Sequence, residues 1–138
     1  MATLYVARSG TFSRWASDVG LGKRVFKVGC SEGAPEPLVA EGWGGEKDWS
    51  VVKKYVGDED LDEAGILVRL QRKEKMIDPM FYPRLRGATG IFKVAEAHVE
   101  SHILVAATLA GGELPKMLKL KPRDFAEYLI HTALRIGV

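Results

Sequence analysis

The chain has a single cysteine, Cys30, among 138 residues, so no internal disulfide can form and the fold must rest on side-chain packing. Long apolar runs are missing too. The longest, Ile103 to Ala107, falls far short of the roughly 20 residues a membrane helix needs. Arg8 interrupts the N-terminus before a signal-peptide core can form. Neither sign of charge dominates, since 20 Lys and Arg stand against 18 Asp and Glu for a net +2. Net charge alone therefore does not call for nucleic acid. Solenoid periods and low-complexity tracts are lacking, and no arginine occurs between Arg24 and Arg69. What these absences leave is a soluble, cytoplasmic chain with no membrane segment. With 46% hydrophobic and 28% charged residues, its composition is that of a globular domain.

Against that background the β-prone runs stand out. Thr3 to Ala7 is one and Val25 to Gly29, which alternates, is a second; they read as neighbouring strands. The stretch between them carries Phe12, Arg14 and Trp15. It is longer than a hairpin loop, and it either exposes these side chains as a contact surface or folds the aromatics back on the core through a turn of helix. Ser31 to Asp48, rich in Gly, Pro and Glu, reads as loop with one short helix near Pro35 to Ala40. Trp49 to Val56 is a third strand, ended by Gly57 to Asp60.

Asp60 and Glu63 have capping-box spacing, which opens a helix whose stripe is Leu67, Leu70 and Ile77 and whose end is Pro79. Glu74 falls on that stripe. A carboxylate facing a core costs several kcal/mol unless a cation or donor compensates it. Two resolutions are open, pairing with Arg84 or Arg86 at a solvated helix end, or holding a metal or substrate at the sheet edge. Gly90 to Val94 is a further short strand. A helix over Ala95 to Ala110 follows, stopped by Gly111-Gly112. His98 and His102 are four residues apart on it with Glu100 between them. That is metal-ligand spacing without the zinc-protease order, and equally a solvated face. The basic residues Lys116, Lys119, Lys121 and Arg123 lead into a last helix that opens at Pro122 and stops at Gly137, suited to packing or to a subunit contact.

Thr3-Leu4-Tyr5-Val6, Phe26-Lys27-Val28-Gly29-Cys30-Ser31, and Glu74 followed by Phe81, Arg84, Gly87 and Phe92-Lys93-Val94 together resemble the GIY-YIG endonuclease superfamily, especially its short phage and bacterial branch. The likeness spans residues 3 to 95. It implies an α+β fold with a small three-stranded antiparallel sheet flanked by helices. Residues 1–110 would form that domain and 111–138 an extension with a packing or oligomerisation helix. It implies metal-assisted phosphodiester hydrolysis on DNA, with Glu74 holding magnesium or manganese. Tyr5 would position or deprotonate the attacking water. Lys27 would lower the tyrosine's pKa or touch a phosphate, and Arg14, Trp15 and Arg84 would engage the nucleic acid. The chain departs from the pattern at two points. Lys27 occupies the second-strand tyrosine position, and Pro35-Glu36-Pro37-Leu38 stands where a catalytic arginine should follow, leaving Arg14 or Arg84 to replace it in space. Two alternatives are a module of the same fold that binds nucleic acid or protein without chemistry, and a regulatory protein that dimerises through its last helix.

Overall fold

The computed structural model describes residues 2–43, 45–56, 62–85, 88–109, 111 and 120–134. Five strands, β1 (Ala2–Ser9), β2 (Val25–Glu32), β3 (Trp49–Val56), β4 (Lys75–Met76) and β5 (Ile91–Lys93), form one sheet in the order β3-β1-β2-β5-β4. All its pairings are antiparallel. The general α+β class holds; the expected three-stranded sheet is corrected to five, because β3 pairs along β1 and the two-residue β4 pairs on β5.

Alternation along the strands makes two apolar faces. Leu4, Val6, Phe26, Val28 and Phe92 point to one core, and Tyr5, Ala7, Val25 and Ile91 to the other. Helices α3 (Glu63–Gln71), α4 (Glu96–Leu109) and α5 (Pro122–Leu134) cover the first face through Ile66, Leu70, Val99, Phe125 and Leu129. Helices α1 (Gly10–Asp18) and α2 (Glu36–Glu41) cover the second through Phe12, Ala16 and Val39. Helix α5 thus buries its apolar stripe on the chain's own sheet. Lys53 and Lys54 stand on the edge strand β3, paired with Glu127 and Glu36; charged side chains on an edge discourage pairing with another sheet.

The long β1–β2 connection is a nine-residue helix rather than a loop with exposed aromatics. Its sequence signal is Ser9, whose Oγ accepts the Phe12 N–H at 3.0 Å and which also bonds the Asp48 carboxylate. Asp48 accepts the Thr11 N–H at 3.0 Å as well, so two side chains brought side by side by the β1–β3 pairing satisfy free donors of one helix start. Phe12 is fully buried and Trp15 half-buried.

Helix α3 ends at Gln71, not at Pro79. The Glu74 N–H still bonds to the Leu70 carbonyl at 2.8 Å, and the chain then turns into β4. Ile77 consequently packs in the second core while Leu70 stays in the first, so the two never share a helical stripe. Asp60, Arg86, Gly87, Ala110, Gly112, Lys116, Lys119 and Gly137 lie outside the described residues, as does the Arg84 side chain. At the start of α3, Asp62 occupies the cap position without a side-chain hydrogen bond. No described helix is long and apolar enough to cross a membrane.

Replacing Ser9 with alanine removes an acceptor from the first turn of α1 and a partner from Asp48. The expected loss is about 1–2 kcal/mol, read as a lower urea midpoint with an unchanged slope. An unaltered midpoint would mean that Asp48 alone caps the helix.

Candidate active site

The antiparallel register sets Tyr5 opposite Gly29 and Ala7 opposite Lys27, and alternation turns Tyr5, Lys27 and Gly29 to the same face. Tyr5 crosses its partner so closely that a Cβ on Gly29 would stand 2.6 Å from the Tyr5 hydroxyl and 2.8 Å from Glu63 Oε1. Only glycine leaves that space open. Gly90 does the same beside Lys27, where a Cβ would lie 2.9 Å from the ammonium and 2.6 Å from the Val28 carbonyl, on a backbone with φ +80.

Glu63 arrives from the open edge of β2. Strand β5 pairs only with Val25 to Lys27, and beyond a last bond from the Val28 N–H to the Gly90 carbonyl no described strand pairs with that edge of β2. The Cys30 N–H on that edge donates to Glu63 Oε1 at 3.1 Å. A carboxylate in the first turn of a helix, where the macrodipole favours negative charge, thereby also terminates a strand.

Trp43 forms the outer wall. Its ring stacks on Tyr5 at 6.1 Å and 18°, and Lys27 Nζ lies 5.2 Å from its centroid, within cation–π range. The Trp43 carbonyl accepts the Trp49 indole N–H at 2.9 Å, and the two indoles meet edge to face at 5.3 Å. Lys27 Nζ also donates to the Val28 carbonyl at 3.1 Å.

Burial governs the titration of this group. It pushes the Tyr5 phenol well above its ordinary value, with further increments from Glu63 and Cys30. It pulls the Lys27 ammonium down, while Glu63 and Cys30 oppose the shift. The Cys30 thiol is pushed up to about 11 by burial and then by Glu63, so at neutral pH it is a weak nucleophile. The cluster therefore combines a protonated phenol, an amine with reduced proton affinity and an exposed carboxylate.

The structure brings Tyr5 and Lys27 together as the sequence suggests, but the carboxylate beside them is Glu63. Glu74, 4% exposed, has its partners on the other core: Oε1 accepts the Ala95 N–H at 2.8 Å. Oε2 accepts the Tyr128 hydroxyl at 2.5 Å and His98 Nδ1–H at 2.6 Å. One carboxylate thus joins the end of α3, the start of α4 and the middle of α5. Arg14 is exposed on α1. Trp15 on the same helix packs against Phe12 at 5.1 Å and Tyr82 at 6.0 Å, and the Arg84 backbone lies in a single 3-10 turn, Pro83–Leu85. Sequence reasoning passed over Glu63 as half of a capping box. Its partner is a backbone N–H more than thirty positions away, exposed because β5 is short. Trp43 gave no signal beyond its Gly-rich setting.

Two measurements follow from this geometry. Glu74→Ala strands the Tyr128 hydroxyl and the Ala95 N–H in a buried site and is expected to remove about 3 kcal/mol of stability, with Glu74→Gln losing less because one acceptor remains. A Glu74→Ala protein as stable as the parent would show that water replaces the carboxylate. Tyr5 and Tyr128 both have folded-state pKa values raised above the ordinary 10, each chiefly by burial. The folded state holds these protons more tightly than the unfolded chain, so their contribution is intact below pH 10 and is lost as pH rises beyond it. Phenolate absorbance should show two late steps, one removed by Tyr5→Phe and one by Tyr128→Phe; ordinary titration of all four tyrosines would contradict the buried placement.

Comparison of the chain with protein-family models, with curated proteins and with solved structures finds no match in any of the three.

Proposed function

We propose that the protein acts on nucleic acid by metal-assisted phosphodiester hydrolysis at Tyr5, Lys27 and Glu63. The observation that carries this is the convergence of a phenol, a buried lysine and a carboxylate around Gly29 and Cys30, at the edge of β2 beyond β5. The likeness of the Tyr5 and Lys27 strand motifs to GIY-YIG endonucleases supports the same reaction class, with Glu63 taking the part that this likeness gives to Glu74.

Glu63 suits a hard divalent cation. One of its oxygens accepts the Cys30 N–H, the other has no hydrogen bond among the described residues, and Asp62 adjoins it. Among the described residues no group of three or more His, Cys, Asp or Glu is placed to hold a metal. A magnesium-type ion held through one or two carboxylates would need no such group, since water and substrate would supply its other ligands. When bound, the ion neutralises charge developing on the phosphate.

The direction of the pKa shifts distributes the remaining work. Lys27, whose ammonium lies under Trp43, contacts a phosphate oxygen, and burial that lowers its proton affinity makes that anionic partner favourable. Tyr5 stays protonated and donates a hydrogen bond that orients the attacking water or a phosphate oxygen. Trp43, half-buried, offers a stacking face for a nucleobase. One observation favours binding without cleavage: among the described residues no arginine bonds to Tyr5, Lys27 or Glu63, and such a group ordinarily stabilises the transition-state charge.

Nicking of supercoiled plasmid with magnesium or manganese tests the proposal. Glu63→Gln and Lys27→Met should each slow nicking by about a hundredfold or more, while folded Glu74→Gln should nick normally. Equal nicking by Glu63→Gln and the parent would exclude Glu63. No nicking by the parent, with salt-sensitive binding of short DNA, would establish the binding module instead.

A further inference from the structure

All three histidines of the chain meet in one cleft, on the face of the molecule formed by α4 and α5. His98 and His102 stand one turn apart on α4, and His131 comes from α5, its ring 4.9 Å from that of His102. The cleft, of about 350 Å³, is lined by Lys73, Ser101, Tyr128 and Thr132 beside these imidazoles. An adjoining cavity of about 520 Å³ shares His102, Val105 and His131 and continues along Ala106, Leu109 and Leu134. One end is therefore rich in hydrogen-bond donors and positive charge; the other is apolar.

We infer that this cleft binds a small organic phosphate, its phosphate group between Lys73, His102 and His131 and its apolar body along Val105, Leu109 and Leu134. A metal is the obvious competitor for imidazoles, but among the described residues no three ligands are placed to hold one. The carboxylates nearby are already engaged. Glu74 lies behind His98, bonded to it, to Tyr128 and to the Ala95 N–H, and Glu127 on α5 is paired with Lys53 at 2.9 Å. That leaves Lys73 and the imidazoles of His102 and His131 facing one cavity with no carboxylate hydrogen-bonded to them among the described residues, Glu127 acting on His102 only at a distance. The Ser101 hydroxyl adds a donor from α4. Donors arriving from both helices and from the end of α3 suit a tetrahedral oxyanion better than a planar carboxylate, which presents acceptors in a single plane.

Burial disfavours protonation of His102. The His102 pKa is held below its ordinary value by burial and then by His131, with Glu127 opposing. Because the folded pKa is depressed, the stability tied to His102 is present above the unfolded value near 6.5 and falls as pH drops through it. A bound dianion reverses the sign of that interaction and favours both imidazolium forms.

Histidine-selective NMR titration of the full chain tests this, with sulfate as a probe of fixed charge and phenyl phosphate as the ester. Sulfate should shift the His102 and His131 signals, raise their pKa values and bind about tenfold more tightly at pH 5.5 than at 7.5. Phenyl phosphate should bind more tightly than inorganic phosphate. Lys73→Ala, an exposed substitution that leaves the packed core intact, should weaken both by about tenfold. Signals that move no further than with chloride at equal ionic strength, or ester binding no tighter than inorganic phosphate, would overturn the proposal. Neither result bears on the Tyr5 cluster, which occupies the opposite face of the sheet.

Discussion

Glu74 is a carboxylate almost sealed from water, and desolvation of such a group costs several kcal/mol unless donors replace the lost hydration. Three do so here, the Ala95 N–H, the Tyr128 hydroxyl and His98. Because those donors come from the start of α4 and from α5, the whole helical layer on that face is tied to the turn that leads into β4. The arrangement satisfies a free N–H at a helix start, where a negative charge is also favoured by the helix dipole. It further fixes His98 on the rim of the cleft that His102 and His131 complete. Packing of Phe125, Leu129 and Ala133 against the sheet supplies the apolar part of the same junction.

The opposite face follows a different constraint, the absence of side chains at Gly29 and Gly90. Their emptiness lets Tyr5 lie across β2 and lets Lys27 reach under Trp43. Burial in this dry environment disfavours the charged form of each group, which is why a phenol rises and an amine falls, and the neighbouring Glu63 adds to the first shift while opposing the second. Glu63, outermost of the set, remains open to solvent. The sheet thus separates two chemistries. One face gathers a phenol, a lysine and a carboxylate beside an indole; the other gathers imidazoles, a lysine and hydroxyls beside an apolar trough.

Much of the fold was legible because short-range rules governed it. Trp49 to Val56 is a strand over those same residues, the helix after Val94 runs as its spacing indicates, and Pro122 opens the last helix. Helix α1 was only half legible: its cap Ser9 is a local signal, but Asp48, which completes the cap, comes from the far side of α2. The end of α3 was misplaced because Ile77 has helical spacing from Leu70 while belonging to another core. Glu74 does face a core as its spacing from Leu70 indicates, but at a buried junction with the Ala95 N–H, His98 and Tyr128 rather than at a solvated helix end.

Alternation in β1 and β2, written in the sequence, determined that Tyr5 shares a face with Ala7 and Lys27 with Gly29, and the register that pairs Tyr5 with Gly29 and Ala7 with Lys27 brought the two together. The sequence likewise determined the α+β character, through its strand and helix periods. Which carboxylate joins Tyr5 and Lys27 was decided only in three dimensions. Glu63 and Glu74 are both acidic residues near the ends of one helix, and nothing local distinguishes them. The length of β5 left the Cys30 N–H bare for Glu63, and the packing of α4 and α5 gave Glu74 its three donors. The meeting of His98, His102 and His131 had the same origin, because the contact joins two helices whose relative placement depends on the sheet beneath them.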